Sequence, residues 1–196
     1  MGEPVIIIMG MALGYLLGSI PFGLLFTRLG GKGDIRDIGS GNIGATNVLR
    51  AGSKILALAT LLADGLKGGL AVALIWRFGN DTAAYMAGLA AFIGHLFPVW
   101  LDFKGGKGVA VFIGAILIMS PLTGILFLVT WLVVALAFRM SSLSAIVAML
   151  VSLPFLLLLG ERDTALFTSF MVLLSLWAHR ENIARLRAGT EPKIGS

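Results

Sequence analysis

Val109–Phe138, VAVFIGAILIMSPLTGILFLVTWLVVALAF, is an apolar run whose reading decides the fold. A membrane-crossing helix needs about 20 mostly apolar residues, with a range of roughly 17–25, so the run is too long for one comfortable crossing. Ser120 and Pro121 stand near its middle, and a proline, lacking a backbone N–H, breaks or kinks a helix. The run is therefore either one overlong crossing or a tight hairpin of two short ones. These two readings place the rest of the chain on opposite sides of a membrane.

On the N-terminal side lie the apolar runs Val5–Thr27, Ile55–Phe78 and Thr82–Leu101, and on the C-terminal side Leu143–Leu159 and Thr164–Ala178. The first run has no positively charged flank before it, only Glu3, so it reads as a retained membrane helix and not a cleaved signal. Short cytoplasmic loops collect Lys and Arg, and the opposite face does not. With the hairpin, Arg28, Lys32, Arg36, Arg50, Lys54, Lys104, Lys107, Arg139, Arg180, Arg185, Arg187 and Lys193 share one side, twelve of the 15 basic residues; only Lys67, Arg77 and Arg162 are left out. A single crossing would strand Arg139 and the basic tail on the other side. The expected fold is an all-α integral membrane protein with seven transmembrane helices, N-terminus out and C-terminus cytoplasmic. Residues 1–196 form a single polytopic domain with cytoplasmic loops 28–54, 102–108 and 139–142 and a tail 179–196. The outer connections, Gly79–Asp81, Ser120–Pro121 and Gly160–Asp163, are minimal turns, which leaves one working face.

Composition agrees. Hydrophobic residues make up 58% of the 196 and charged ones only 13%, about half of the roughly 25% a soluble domain carries. The absence of cysteine removes disulfides, thiolate metal sites and cysteine nucleophiles. Two histidines far apart, His95 and His179, give no basis for a metal centre. No nucleic-acid partner is expected, and the partner the composition calls for is membrane lipid.

Three regions carry chemistry. Gly39–Asn47, GSGNIGATN, sets Ser40, Asn42, Thr46 and Asn47 among glycines, with Arg50 three residues on. Glycines let backbone N–H groups converge on an anion and the polar side chains add donors; the same residues also make ordinary solvated turns. Lys104–Gly108, KGGKG, lies between two apolar runs. Its amides at a helix start and the ammonium groups of Lys104 and Lys107 suit phosphate, or, on the plainer reading, anchor the helix end to anionic lipid. It is not a nucleotide-binding GxxxxGK[ST] loop. Asp64 and Lys67 share one face of an apolar helix, Asp64 roughly 15 Å in from Lys54 at ~1.5 Å per residue. Charges so deep cost about 2.5–3.5 kcal/mol each and pair or line a polar cavity. The division expected is Lys67 toward substrate and Asp64 orienting it. His95 is a hydrogen-bonded core residue or a ligand. Ser141 and Ser142 beside Arg139 are helix caps or anion donors. His179-Arg180-Glu181-Asn182 opens the tail at the membrane surface.

In this order the segments resemble the bacterial membrane acyl-phosphate:glycerol-3-phosphate acyltransferase family (the PlsY type), over essentially the whole chain. The resemblance rests on GSIPFG at 18–23, GSGNIGATN with Arg50, DGLKGG at 64–69, Gly94-His95, FKGGKGVA at 103–110 and HRENIARLRAGTEPKIG at 179–195. It implies transfer of a fatty acyl chain from acyl phosphate to the sn-1 hydroxyl of glycerol 3-phosphate, giving lysophosphatidic acid and phosphate at the cytoplasmic face of the bacterial inner membrane. The family lacks the H-x4-D motif of the coenzyme A-dependent enzymes, and here Trp100 and Ala184 stand five residues after His95 and His179. Carried over, functional weight falls on Ser40 and Arg50, on the KGGKG glycines as a phosphate-binding loop, and on His179 and Asn182; the donor chemistry of the first loop adds Asn42 to the catalytic set. Read from residue type and position, substrate or phosphate binding falls on Thr46, Asn47, Lys67, His95, Lys104, Lys107, Ser141, Ser142 and Arg180, beside the loop glycines Gly105, Gly106 and Gly108. Asp64 and Glu181 are structural partners. No cofactor is required, and an acyl-phosphate-forming enzyme is the implied functional neighbour. The proton of the attacking hydroxyl goes either to His179, near pKa 6.5 when unperturbed, or to a phosphate oxygen of the donor. A transporter of phosphate or a phosphorylated metabolite is the competing class, but transporters place substrate near the midplane between repeated halves, and no long repeat is visible.

Overall fold

The computed structural model describes residues 2–78 and 80–195; Gly79, first residue of the expected turn Gly79–Asp81, lies outside them. The described residues contain helices, turns and irregular connections and no strand. They divide into two compact units, Met1–Ala115 and Ile116–Ser196.

The first unit contains α1 (Glu3–Ser19), α2 (Phe22–Leu29), α3 (Ala45–Arg50), α4 (Lys54–Phe78) and α5 (Asp81–Leu96), and α6 (Val109–Met119) starts in it. The first expected span, Val5–Thr27, is not one helix. Pro21 offers no N–H to continue α1, and Ile20 before it is extended at φ −66°, ψ 116°. The third, Thr82–Leu101, is also cut short: α5 ends at Leu96, and Pro98 leads into a 3₁₀ turn at Val99–Leu101. Within the long polar loop the chain forms a 3₁₀ turn at Ile35–Asp37 and the short α3.

Small residues bring α1 and α5 together. Gly10, Gly14 and Gly18 recur every fourth residue and face Ala83, Ala87 and Ala91 at the same spacing; a Cβ on Gly14 or Gly18 would strike the carbonyl of Ala87 or Ala91. Gly94 returns the contact against the Tyr15 carbonyl, and the Tyr15 hydroxyl donates to Phe97 O at 2.9 Å. Lipid tails are as apolar as leucine, so helices in a bilayer associate through such close backbone approach. The large apolar side chains point outward instead, as Leu66, Leu70 and Leu74 do along α4. Gly65 and Gly68 of α4 pack in the same way on Gly114 and Val111 of α6.

The second unit holds α7 (Pro121–Phe138), α8 (Ser141–Leu158), α9 (Arg162–Ala178) and α10 (Arg180–Arg187). The break expected at Ser120–Pro121 is present: α6 stops at Met119, and α7 opens on Pro121, where a missing N–H costs nothing. Ser120 Oγ donates to Thr123 Oγ1 at 2.8 Å. The 11 residues of α6 extend about 16 Å, short of a hydrocarbon core of about 30 Å. Among the described residues five stretches are long and apolar enough to cross a membrane: Glu3–Leu29, Lys54–Phe78, Asp81–Leu101, Pro121–Phe138 and Ser141–Leu158. The tail, read from sequence only as a basic extension, forms the two-turn helix α10 before it becomes irregular.

Candidate active site

The GSGNIGATN loop is held from inside by Asn47. Its Oδ1 accepts from Ser40 N at 3.0 Å, and its Nδ2 donates to Ile35 O and Ile38 O at 3.0 and 2.8 Å. Asn47 is buried, so this residue, expected among the substrate ligands, has its amide committed to the loop. Gly39 takes φ +57°, and a Cβ there would press on Asn47 Oδ1. Asn42 Oδ1 accepts from Gly44 N at 2.9 Å, and the loop settles onto α2 where Gly23 meets the Ile43 carbonyl. Ser40 and Thr46 remain exposed and Arg50 half-buried. Arg50 has no ion-pair partner among the described residues, whereas Arg28 and Arg36 both grip Asp34 at 2.7 Å. The Arg36 guanidinium, with Arg28 and the Arg36 amide adding hydrogen bonds, holds the Asp34 carboxyl well below the usual carboxylate range.

Asp64, Lys67 and His95 meet beneath the KGGKG loop. Lys67 Nζ lies 2.7 Å from Asp64 Oδ1, donates to Ile20 O at 2.8 Å and sits 2.9 Å from His95 Nδ1. The carbonyl at Ile20 is available because α1 stops there. An ammonium only donates, so His95 accepts at Nδ1 and carries its proton on Nε2. That nitrogen faces Gly106, where a Cβ would overlap it. The structure differs here from the expectation of a substrate-facing Lys67: the ammonium is buried between an ion-pair partner, Asp64, and two hydrogen-bond acceptors, Ile20 O and His95 Nδ1. The loop glycines differ too. Gly105 N and Gly106 N donate to Leu96 O and His95 O, both at 3.0 Å, so these two amides close the loop onto the end of α5 and are not aimed at a phosphate. Gly108 takes φ +79° against the Phe92 ring. Lys104 is exposed.

In the second unit, His179 is buried and its Nδ1 lies 2.8 Å from Ser175 O. Donation to that carbonyl leaves the ring's lone pair on Nε2. Asn182 Nδ2 donates to Glu191 Oε1 at 2.6 Å. Ser142, expected as a cap or anion donor, donates to the same carboxylate oxygen at 2.6 Å, and the N-cap of α8 is Met140. Glu181, expected as the structural carboxylate, is instead exposed on the outer face of α10; the buried structural carboxylate is Glu191. Arg180 stacks over the Trp177 ring at 4.4 Å and donates to Trp177 O. Sequence reasoning missed Glu191, whose signal was a lone acid in a basic tail, and the Ile20 carbonyl, whose signal was an X-Pro step within an apolar run. No group of three or more potential metal ligands occurs among the described residues.

Together these features define a multi-pass, all-helical membrane protein whose glycine-bearing polar loops are braced by buried hydrogen-bonded networks. The chain belongs to the glycerol-3-phosphate acyltransferase family, whose model matches residues 8–189. It is 57% identical to the glycerol-3-phosphate acyltransferase of Rhizobium etli over 94% of this chain and 89% of that protein. It is also similar to the crystal structures of PlsY (YgiH), an integral membrane glycerol 3-phosphate acyltransferase. For the glycerol 3-phosphate form the TM-score is 0.91 at 37% identity, covering 96% of each chain. For the lysophosphatidic acid form it is 0.88 at 36% identity, covering 96% of this chain and 95% of that one.

Proposed function

We propose that this protein transfers a fatty acyl chain from acyl phosphate to the sn-1 hydroxyl of glycerol 3-phosphate, releasing lysophosphatidic acid and inorganic phosphate. The observation that carries the reading is the likeness, along 96% of the chain, to an acyltransferase crystallised with glycerol 3-phosphate. Acyl phosphate as donor follows from the motif resemblance, and an enzyme that forms acyl phosphate is the functional neighbour. The topology proposed is one polytopic domain with seven crossings, N-terminus out and C-terminus in, embedded in the bacterial inner membrane with its site toward the cytoplasm. The one-sided distribution of the basic residues supports it.

Within the first unit, Ser40, Asn42, Thr46 and Arg50 bind and orient headgroups, and Lys104 and Lys107 neutralise phosphate. Fixed donors of this kind stabilise the oxyanion that develops at the acyl carbonyl. Asp64, Lys67, His95, Asn47, Gly105, Gly106 and Gly108 hold those groups in place. In the second unit, His179 and Asn182 act on substrate, with Ser141 and Arg180 contributing to headgroup binding. The hydroxyl attacks the carbonyl directly, the carbon–phosphate oxygen bond breaks, and no acyl-enzyme forms. The departing phosphate accepts the hydroxyl proton while His179 orients substrate.

Purified protein in lipid, given palmitoyl phosphate, tests this. Phosphate release that requires glycerol 3-phosphate and accompanies lysophosphatidic acid is expected. Folded protein that releases no phosphate from palmitoyl phosphate with glycerol 3-phosphate present would refute the reading.

A further inference from the structure

The segment that follows α10 contains one acidic residue, Glu191, and its carboxylate is a meeting point within the second unit. Ser142 Oγ, from the first turn of α8, and Asn182 Nδ2, from α10, both donate to Oε1 at 2.6 Å. Arg185 Nε, almost one turn further along α10, donates to Oε2 at 2.8 Å. Burial pushes the Glu191 carboxyl up, and the hydrogen bonds from Ser142, Asn182 and Arg185 outweigh it, leaving the group below the ordinary glutamate range. Three residues on, the chain is fastened again. Ile194 N donates to Arg139 O at 2.6 Å, and Arg139 Nη2 donates to Ile194 O at 3.2 Å. Residues 188–195 are therefore a strap tied at two points, to the start of α8 and to the residue that ends α7.

We infer that Glu191 is a positioning residue for Asn182, delivered by this strap; the inference rests on the role proposed above for Asn182. A carboxamide can turn either edge to a neighbour, whereas a carboxylate only accepts. With Glu191 Oε1 beside it, Asn182 must keep its NH₂ edge toward the strap and its carbonyl edge turned away. Arg185 occupies the other carboxylate oxygen, so the charge is balanced without drawing Oε1 off Asn182. A polar group fixed before the reaction begins acts without reorganising as charge develops, and Glu191 supplies that fixing from nine residues away. Glu181, the acid adjacent in sequence, is exposed and does not do this.

The test is a mutant cycle on the full-length protein in lipid, measuring kcat, KM and thermal stability. Glu191→Ala is expected to lower kcat/KM by about tenfold or more, the scale of a hydrogen bond to a charged group. The loss should fall on the same constant, kcat or KM, that Asn182→Ala changes. The double variant should be no worse than Asn182→Ala alone, because removing the positioner of an absent group costs nothing further. Glu191→Gln keeps a carbonyl oxygen for Ser142 and Asn182 and should recover most of the loss. Should Glu191→Ala fail to fold, Glu191→Asp retains the charge, withdraws it by one methylene and enters the same cycle. Losses that multiply in the double variant, or a folded Glu191→Ala with wild-type kcat/KM, overturn the proposal. Full activity in Asn182→Ala is a different failure: it removes the role given to Asn182 first, and the positioning role falls with it.

Discussion

Replacing Lys67 by methionine should destabilise the first unit. The ammonium is buried and has one ion-pair partner and two further acceptors, Asp64 Oδ1 at 2.7 Å, Ile20 O at 2.8 Å and His95 Nδ1 at 2.9 Å. Methionine fills a similar volume, so the loss is chiefly electrostatic: Asp64 keeps a buried carboxylate with no cation against it. Removing one partner of a buried pair costs about 3–5 kcal/mol. For a protein of this size that corresponds to a fall of roughly 6–20 °C in Tm. The assay is thermal unfolding of the detergent-solubilised protein, followed for wild type, Lys67→Met, Asp64→Asn and the double variant. Neutralising both partners removes the stranded charge, so the double variant should recover at least half of the Lys67→Met loss. A Lys67→Met protein as stable as wild type, or a double variant worse than the sum of the singles, would refute the reasoning.

Gly106→Ala should cost about 1–3 kcal/mol by overpacking, since the new methyl meets His95 Nε2; in thermal unfolding, His95→Ala in the same molecule should relieve part of that loss. Glu191 has its folded-state pKa below the unfolded value, which for a glutamate is about 4.3. Its contribution is therefore complete above that pH and is lost as pH falls through the lowered folded value. The Tm difference between wild type and Glu191→Gln should be positive and flat at neutral pH and shrink only in acid; a difference that grows on acidification would contradict the sign. His179→Ala should raise the substrate requirement and keep measurable turnover, and complete loss of turnover at saturating substrate in folded protein would transfer the proton-accepting role to His179. A labelled acyl group trapped covalently on the protein would exclude direct transfer.

Much of the fold was legible because it depends on patterns that lie along the chain. Ser120–Pro121 marked its own break, since a missing N–H acts locally, and the apolar runs marked the long helices. Ile20–Pro21 carries the same signal, but it stands inside a run of ordinary crossing length, where nothing else in the sequence marks a break. The candidate site was legible as residue types and less so as partners. Asp64 with Lys67 could be paired from their spacing, but nothing local says that Lys67 also reaches Ile20, 47 residues away, and His95, 28 residues away. The KGGKG glycines pointed to close approach without saying of what; the approach is to His95 and Leu96. Glu191 and Glu181 differ in role only because α10 turns Asn182 inward, a geometry fixed by tertiary packing.

The Lys67 linkage also imposes an order on how the chain enters the bilayer. Its acceptors come from three moments of synthesis: Ile20 is made before α4, Asp64 arrives with it, and His95 follows in α5. While α4 is the newest helix, Lys67 has its charge balanced by Asp64 and one hydrogen bond offered by Ile20 at the end of α1, with His95 still to come. Seating α5 with its alanine face on the glycine face of α1 also brings His95 Nδ1 to Lys67, so the docking of those two helices and the completion of the ammonium's hydrogen bonding are one event.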